Sequence, residues 1–149
     1  MTEAKAIYFD MDGTIANLYA VENWLPMLRD YDPTPYAEAA PMLRMASLAR
    51  VLNRLQREGY TIGIVSWLSK EPHPIYDVVV AETKMMWLKE HLPSVHWDEI
   101  HIVAHGTPKS SVVKHKGGIL FDDEERNRRE WVGTAYDVDH IIEILRGLE

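Results

Sequence analysis

Cysteine is absent from the 149 residues, and no apolar run is long enough to cross a membrane. The absence of cysteine excludes disulfide bonds and metal sites built on thiolates. Polar or charged residues interrupt each apolar run before it reaches the roughly 18 residues that a membrane-spanning helix needs. The opening residues, MTEAKAIYFD, enter a strand-like run almost at once and leave no room for a signal peptide. We therefore expect a cytoplasmic protein with no membrane partner.

Positive charge is also in short supply. The chain carries 16 lysine and arginine residues against 23 aspartate and glutamate residues, a formal net charge of −7. This balance argues against nucleic acid as a partner, because binding to a polyanion depends on cationic side chains. An acidic site can still bind a single phosphate through a metal ion. The seven histidines show no spacing typical of zinc ligands, so a zinc site is not expected.

Strand-like and helix-like patterns alternate along the chain. Hydrophobic residues make up 46% of it and charged residues 26%, so we expect one globular domain over residues 1–149. The strand-like runs are Ala6–Met11, Tyr60–Trp67, Glu99–Ala104, Gly118–Asp122 and Thr134–Val138. The helix-like patterns are Pro41–Glu58, Ile75–Leu92 and Asp139–Leu148. This alternation predicts an α/β fold with a doubly wound, Rossmann-like parallel sheet of five strands.

Residues 16–41 fit the alternation less well. The segment reads ANLYAVENWLPMLRDYDPTPYAEAAP and is rich in tryptophan, tyrosine, proline and methionine. Because it follows directly on the first strand, it is expected to form a small helical cap insert over the strand ends. The alternative is a helical hairpin that covers the edge of the sheet.

Polar side chains occur at or just beyond the ends of the first four predicted strands. They are Asp10 and Asp12 in AIYFDMDGTIA, Ser66 in TIGIVSW, Lys109 in HGTPKSSVV, and Asp122, Asp123 and Asn127 in GGILFDDEERN. The carboxyl ends of parallel strands share one edge of the sheet, and ligands bind there. We therefore expect these residues to converge on one site.

Such a cluster of carboxylates constrains the chemistry. The carboxylates repel one another and raise one another's pKa unless a cation neutralises them. With no cysteine and no paired histidine, oxygen ligands favour Mg²⁺ over zinc. One carboxylate can then attack a metal-bound phosphate, and a second can protonate the leaving oxygen. Ser66 and Lys109 would supply a hydroxyl donor and a positive charge to the phosphoryl oxygens.

These motifs resemble those of the haloacid dehalogenase (HAD) superfamily of phosphohydrolases. That family carries D-x-D-G-T/V, then a serine or threonine, a lysine and an acidic pair, and all four occur here in that order. The resemblance implies that Asp10 is the nucleophile and Asp12 the general acid and base. It implies Mg²⁺ ligands from Asp10, the backbone carbonyl of Asp12, and Asp123.

The resemblance also implies supporting roles within the last motif. Asp122 would orient Lys109 and a metal-bound water molecule. Asn127 stands where many relatives have an aspartate.

A narrower resemblance is to the 5′(3′)-deoxyribonucleotidases within that superfamily. It rests on KMMWLKEHLP, DEIHIVAHGTPKSSVV and GGILFDDEERN. It implies a 5′-nucleotidase that acts on nucleoside monophosphates, including deoxy forms. Trp67, Tyr19 and Trp24 are candidates for an aromatic slot that holds the base, and the alternative for each is packing in the core.

Two other functions stay open from the sequence. A small cap leaves the site accessible to a nucleic-acid end, so an end phosphatase is one alternative, although the net negative charge counts against it. A non-enzymatic phosphoacceptor module is the other, since receiver domains combine an acidic pair, an aspartate, a serine or threonine and a lysine on a similar sheet. Their acidic pair follows the first strand, whereas here it follows the fourth. The oligomeric state is left open.

Overall fold

Five parallel strands form the central sheet of the computed structural model, which describes residues 5–148. The strands are β1 (Ala6–Phe9), β4 (Thr61–Trp67), β5 (Glu99–Val103), β6 (Ile119–Phe121) and β7 (Thr134–Tyr136). Their spatial order is β5-β4-β1-β6-β7, and every neighbouring pair is parallel. Two short strands, β2 (Ala16–Asn17) and β3 (Ala40–Pro41), pair antiparallel beside it. The expected doubly wound α/β fold is confirmed.

Helices connect and flank these strands. They are α1 (Trp24–Arg29), α2 (Thr34–Glu38), α3 (Met45–Arg57), α4 (Tyr76–His91), α5 (Glu125–Glu130) and α6 (Ile141–Arg146). Short 3₁₀ turns lie at Leu18–Ala20 and Lys109–Ser111. Over residues 5–148, no helix combines the length and the apolar character that crossing a membrane requires.

The alternation of side chains along β1 divides the core between the two faces of the sheet. Ile7 and Phe9 belong to a large cluster that includes the apolar residues of α3 and α6. Ala6 and Tyr8 belong to a smaller cluster on the opposite face, with Trp131. Because β1 is buried on both faces, its run of apolar residues is continuous rather than alternating.

The start of the first predicted helix is wrong. The helix was expected to begin at Pro41, but α3 begins at Met45. Pro41 instead pairs with Ala16 in the small antiparallel sheet, a contact between residues 25 positions apart that no local pattern reveals.

The strand order places a topological switch point at the centre of the sheet. From β1 the chain moves outward through β4 and β5, and then returns to the other side of β1 with β6. Connections leave β1 and β6 in opposite directions, so a crevice opens between their carboxyl ends, where ligands bind in folds of this kind. The register aligns Phe9 with Phe121, so the next residues, Asp10 and Asp122, emerge side by side.

Candidate active site

Asp10 lies at this switch point, directly after β1. Its backbone N–H donates to the carbonyl of Phe121 at 3.0 Å, which continues the β1–β6 ladder by one residue. Its carboxylate is held on both oxygens. Thr14 Oγ1 donates to Oδ2 at 3.0 Å, and Lys109 Nζ donates to Oδ1 at 2.9 Å. Asp10 therefore has a defined orientation before any ligand binds.

Lys109 links Asp10 to Asp122 across the crevice. Its ammonium is buried and also donates to Asp122 Oδ2 at 2.7 Å. Burial alone would lower the pKa of the Lys109 amine, but the charges of the two carboxylates outweigh burial and raise that pKa. Lys109 is therefore a fixed positive charge beside Asp10.

Asp122 is almost fully engaged in hydrogen bonds. Its Oδ2 also accepts from Asn127 Nδ2 at 3.2 Å, and its Oδ1 accepts from the backbone N–H of Glu124 at 2.9 Å. Burial and then the charge of Asp10 raise the pKa of the Asp122 carboxyl to about 6, against the opposing effect of Lys109. This arrangement leaves Asp122 less free than its neighbours to hold an ion.

Asp10, Asp122 and Asp123 form an acidic cluster that could hold a metal ion. One oxygen from each lies within 4.8 Å of the others. Burial and then the charge of Asp10 raise the pKa of the Asp123 carboxyl to about 8, as expected where carboxylates lie close together. Three carboxylates and no nitrogen or sulfur donor suit a hard cation such as Mg²⁺.

Gly13 provides the space for this cluster. Its φ of +81° is one that other residues rarely adopt, and a Cβ there would overlap Oδ2 of Asp123 and lie 2.9 Å from the Tyr19 ring. Thr14 adds a second tie, because its Oγ1 accepts a 3.3 Å hydrogen bond from the backbone N–H of Asp123. The turn after β1 thus positions the carboxylates of both Asp10 and Asp123.

Asp12 is held on the other side of the crevice by Lys84. The ammonium of this α4 residue donates to Asp12 Oδ2 at 2.9 Å, to Ser66 Oγ at 2.7 Å and to the backbone carbonyl of Trp67 at 2.7 Å. Burial raises the pKa of the Asp12 carboxyl above its usual range, while the charge of Lys84 acts in the opposite direction. Ser66 is fully buried beside this ammonium, so its contact with a phosphoryl group stays a prediction.

A cavity of about 650 Å³ opens from Asp10 and Asp12 toward the 16–41 segment. All three aromatic candidates, Tyr19, Trp24 and Trp67, line it. The rings of Tyr19 and Trp24 meet edge to face with their centroids 5.0 Å apart. The indole of Trp67 donates to the carbonyl of Thr107 at 2.9 Å, with Lys109 Nζ 5.5 Å from its centroid.

The structure therefore brings nearly all the predicted residues to one place. Asp10, Asp12, Lys109, Asp123 and Asn127 line the cavity, as do the three aromatic candidates. Asp122 and Ser66 lie behind it, each bonded to a buried lysine.

Sequence reasoning missed Lys84 and the role of Thr14. The buried residues of α4 are Tyr76, Val80, Lys84, Trp87 and Leu88, so Lys84 occupies the apolar stripe of an otherwise ordinary helix. A single lysine within the apolar stripe of a helix indicates a buried, paired ammonium, and this signal was present in the sequence. For Thr14, the signal was its place next to Gly13 in the first motif.

Comparisons with known proteins support the fold. No protein-family model matches this chain, and no curated protein matches it. Among solved structures, the D,D-heptose 1,7-bisphosphate phosphatase from Burkholderia thailandensis is similar, with a TM-score of 0.52 over 84% of this chain and 70% of that chain. The two sequences are 14% identical, so this likeness shows the shared fold alone.

Proposed function

We propose that the chain is a Mg²⁺-dependent phosphomonoester hydrolase of the HAD superfamily, with Asp10 as its nucleophile. The observation that carries the proposal is the Asp10 carboxylate at the switch point, oriented by Thr14 and Lys109 and placed beside Asp123. A carboxylate that is only 7% exposed, yet lines a large cavity, is arranged for reaction rather than for solvation. The proposed hydrolase activity is also supported by the order of the motifs along the chain and by the similar fold of a heptose bisphosphate phosphatase.

The cofactor would be held by Asp10, Asp123 and the backbone carbonyl of Asp12. The fit is supported by the spacing of the carboxylate oxygens and by the room that Gly13 leaves beside Asp123. When bound, Mg²⁺ neutralises the carboxylates and polarises the phosphoryl oxygens.

In the first step, a carboxylate oxygen of Asp10 attacks phosphorus. The bond between phosphorus and the ester oxygen breaks, and the departing oxygen takes a proton from the Asp12 carboxyl. Lys109 stabilises negative charge on the phosphoryl oxygens, because its ammonium is fixed before the reaction begins. The products are an alcohol, an aspartyl-phosphate on Asp10, and Asp12 as a carboxylate.

In the second step, water releases the phosphate. The Asp12 carboxylate takes a proton from the water molecule as its oxygen attacks phosphorus. The bond between phosphorus and Asp10 breaks, which restores both side chains and gives inorganic phosphate. Asp12 therefore donates a proton in the first step and accepts one in the second.

The substrate we propose is a nucleoside monophosphate, with deoxy forms included. This proposal rests on the rings of Trp67, Tyr19 and Trp24 around the cavity, and on the narrower sequence resemblance to deoxyribonucleotidases. Stacking of a base on an aromatic ring contributes about 1–3 kcal/mol. That energy corresponds to a preference of about tenfold to a hundredfold over a substrate without a base.

The 16–41 segment would act as the cap of this site. Its residues Leu18, Tyr19, Trp24 and Tyr36 line the cavity, which supports the proposal. The partner is then a small phosphomonoester, and a cytoplasmic location is proposed on the sequence alone.

A substrate panel tests the activity. Purified protein is freed of metal with chelator, supplied with MgCl₂, and assayed for phosphate release from an aryl phosphate, nucleoside monophosphates, glycerol phosphate and sugar phosphates. We expect activity only with the metal, and none in Asp10→Asn. Activity that persists in chelator would overturn the proposed metal dependence. A stable phosphoryl group on Asp10 without phosphate release would favour the phosphoacceptor alternative.

The nucleotide proposal is tested separately with Trp67→Ala. We expect this variant to lose most of the preference for nucleoside monophosphates in kcat/KM while it keeps activity on the aryl phosphate. Trp97→Ala is the matched control, because Trp97 is also partly buried but lines a different groove. Equal kcat/KM for nucleotides and glycerol phosphate in the wild-type protein would leave a general phosphatase and reject the nucleotidase.

A further inference from the structure

Lys84 is a buried charge that the proposed mechanism does not use. Its side chain is 1% exposed, whereas lysine side chains on helices usually reach solvent. The three N–H groups of its ammonium have three acceptors. These are Asp12 Oδ2, Ser66 Oγ and the carbonyl of Trp67, all within 2.9 Å. An ammonium is retained in a protein interior only when it is paired and fully hydrogen-bonded, so these three contacts explain why it can be there.

Lys84 and its hydrogen-bond partners come from three different parts of the fold. Asp12 follows β1, Ser66 and Trp67 end β4, and Lys84 itself projects from the middle of the 16-residue α4. The ring of Tyr36, on α2, lies 4.9 Å from the ammonium and covers it from the side of the 16–41 segment. Tyr36 and Lys84 are both buried, so the ammonium makes these contacts away from bulk solvent.

Only one oxygen of Asp12 is taken by this contact. Oδ2 accepts from Lys84, whereas Oδ1 accepts no hydrogen bond from any residue in the range 5–148. Asp12 also lines the cavity. Lys84 thus restrains the Asp12 carboxyl at one oxygen, and the other oxygen belongs to a side chain that lines the cavity.

We propose that Lys84 is a positioning residue that aims the free oxygen of Asp12 at the leaving group. The proposal rests on the phosphatase function proposed above. A side chain with two rotatable bonds would otherwise sample several orientations, and a displacement of about 1 Å can cost about a hundredfold in rate. The ammonium therefore acts through Asp12 and does not itself touch the substrate.

Leaving-group dependence separates this role from a purely structural one. An alkyl phosphate needs a proton on its departing oxygen, whereas dinitrophenolate leaves readily without one. We expect Lys84→Met to lower kcat/KM for an alkyl phosphate about tenfold to a hundredfold, because Asp12, the general acid, is no longer held in its orientation. Under the same conditions kcat/KM for dinitrophenyl phosphate should change little, since this ratio reports phosphoryl transfer to Asp10.

Two further variants complete the test. Lys84→Met added to Asp12→Asn should cause no additional loss on the alkyl phosphate, because the two residues act through one contact. Lys89→Met removes the same charge from an exposed position of α4 and should leave both substrates unaffected. If Lys84→Met does not fold, Lys84→Gln retains amide donors for the same acceptors, and circular dichroism and thermal melting establish which variants are folded.

The results that would overturn the proposal are distinct from those that would overturn the function. Equal losses on both substrates in a folded variant would show a structural role alone, and an additive loss in the double variant would show independence from Asp12. If the wild-type protein hydrolyses neither substrate with Mg²⁺, the proposed function itself fails.

Discussion

Mutual repulsion within the acidic cluster should make Asp123→Asn more stable than the wild-type protein when no metal is present. The three carboxylates place one oxygen each within 4.8 Å of the others. Two unit charges at that distance repel by about 1 kcal/mol in water and by about 3.5 kcal/mol at an effective dielectric constant of 20. Asp123 is only partly buried, so solvent screening reduces the effect toward the lower part of that range.

The expected gain for Asp123→Asn in chelator is therefore about 1–2 kcal/mol in the free energy of unfolding. For a domain of this size, this corresponds to a rise in Tm of about 2–8 °C. In contrast, Mg²⁺ should stabilise the wild-type protein and not the variant. An ion at a hundredfold its Kd adds about 2.7 kcal/mol when it binds only the folded chain. The difference in Tm between Asp123→Asn and the wild-type protein should therefore become smaller or change sign when Mg²⁺ is added.

The pH dependence has a defined sign. The pKa of the Asp123 carboxyl is raised from 3.8 to about 8 in the folded protein, so folding takes up a proton between these values. The stability contributed by this group is present below pH 3.8 and is lost as the pH rises through about 8. The advantage of Asp123→Asn in chelator should accordingly be small in mild acid and largest at alkaline pH.

Scanning calorimetry in chelator and in Mg²⁺, at acidic and alkaline pH, tests this reasoning. Glu125→Gln is the matched control, because it removes a carboxylate from an exposed position only two residues away. The control should melt like the wild-type protein and keep the response to Mg²⁺. A lower Tm for Asp123→Asn in chelator at alkaline pH, or an undiminished stabilisation by Mg²⁺, would refute the reasoning.

Three further predictions concern the residues around the cluster. Asp10→Asn should abolish turnover in a folded protein, and trapping of the phosphorylated wild-type chain followed by peptide mapping should identify Asp10, whereas a label on any other residue would contradict the assignment. Lys109→Met should lower the free energy of unfolding by about 3–5 kcal/mol, because it leaves buried carboxylates unpaired. Denaturant melts should show a smaller loss for Ser66→Ala. A larger loss for Ser66→Ala than for Lys109→Met would count against the role of the Lys109 ion pairs. Gly13→Ala should reduce the affinity for Mg²⁺, measured by titration calorimetry, because its Cβ would displace Asp123; an unchanged affinity would remove that carboxylate from the proposed ligand set.

The sequence alone predicted the architecture and most of the residues that meet at the candidate site. Apolar runs that end in Asp10, Ser66 and Asp122 indicate strands, because a strand buried on both faces is apolar without alternation and these runs are too short for a typical helix. The alternation with helices predicts a parallel sheet, and a parallel sheet necessarily gathers the residues at its carboxyl ends. The order of the strands was not needed for that inference.

Only the tertiary structure decided how the site residues are paired. Lys84 and Asp12 are 72 positions apart, and although Lys84 falls on the apolar stripe of α4, the sequence does not identify the residue with which it pairs. Pro41 was expected to open a helix, because proline favours that position locally, but Pro41 lies in β3 and pairs with Ala16 of β2, so the helix begins only at Met45. Local patterns report the preferences of neighbouring residues, whereas these contacts exist only after the chain has brought distant segments together.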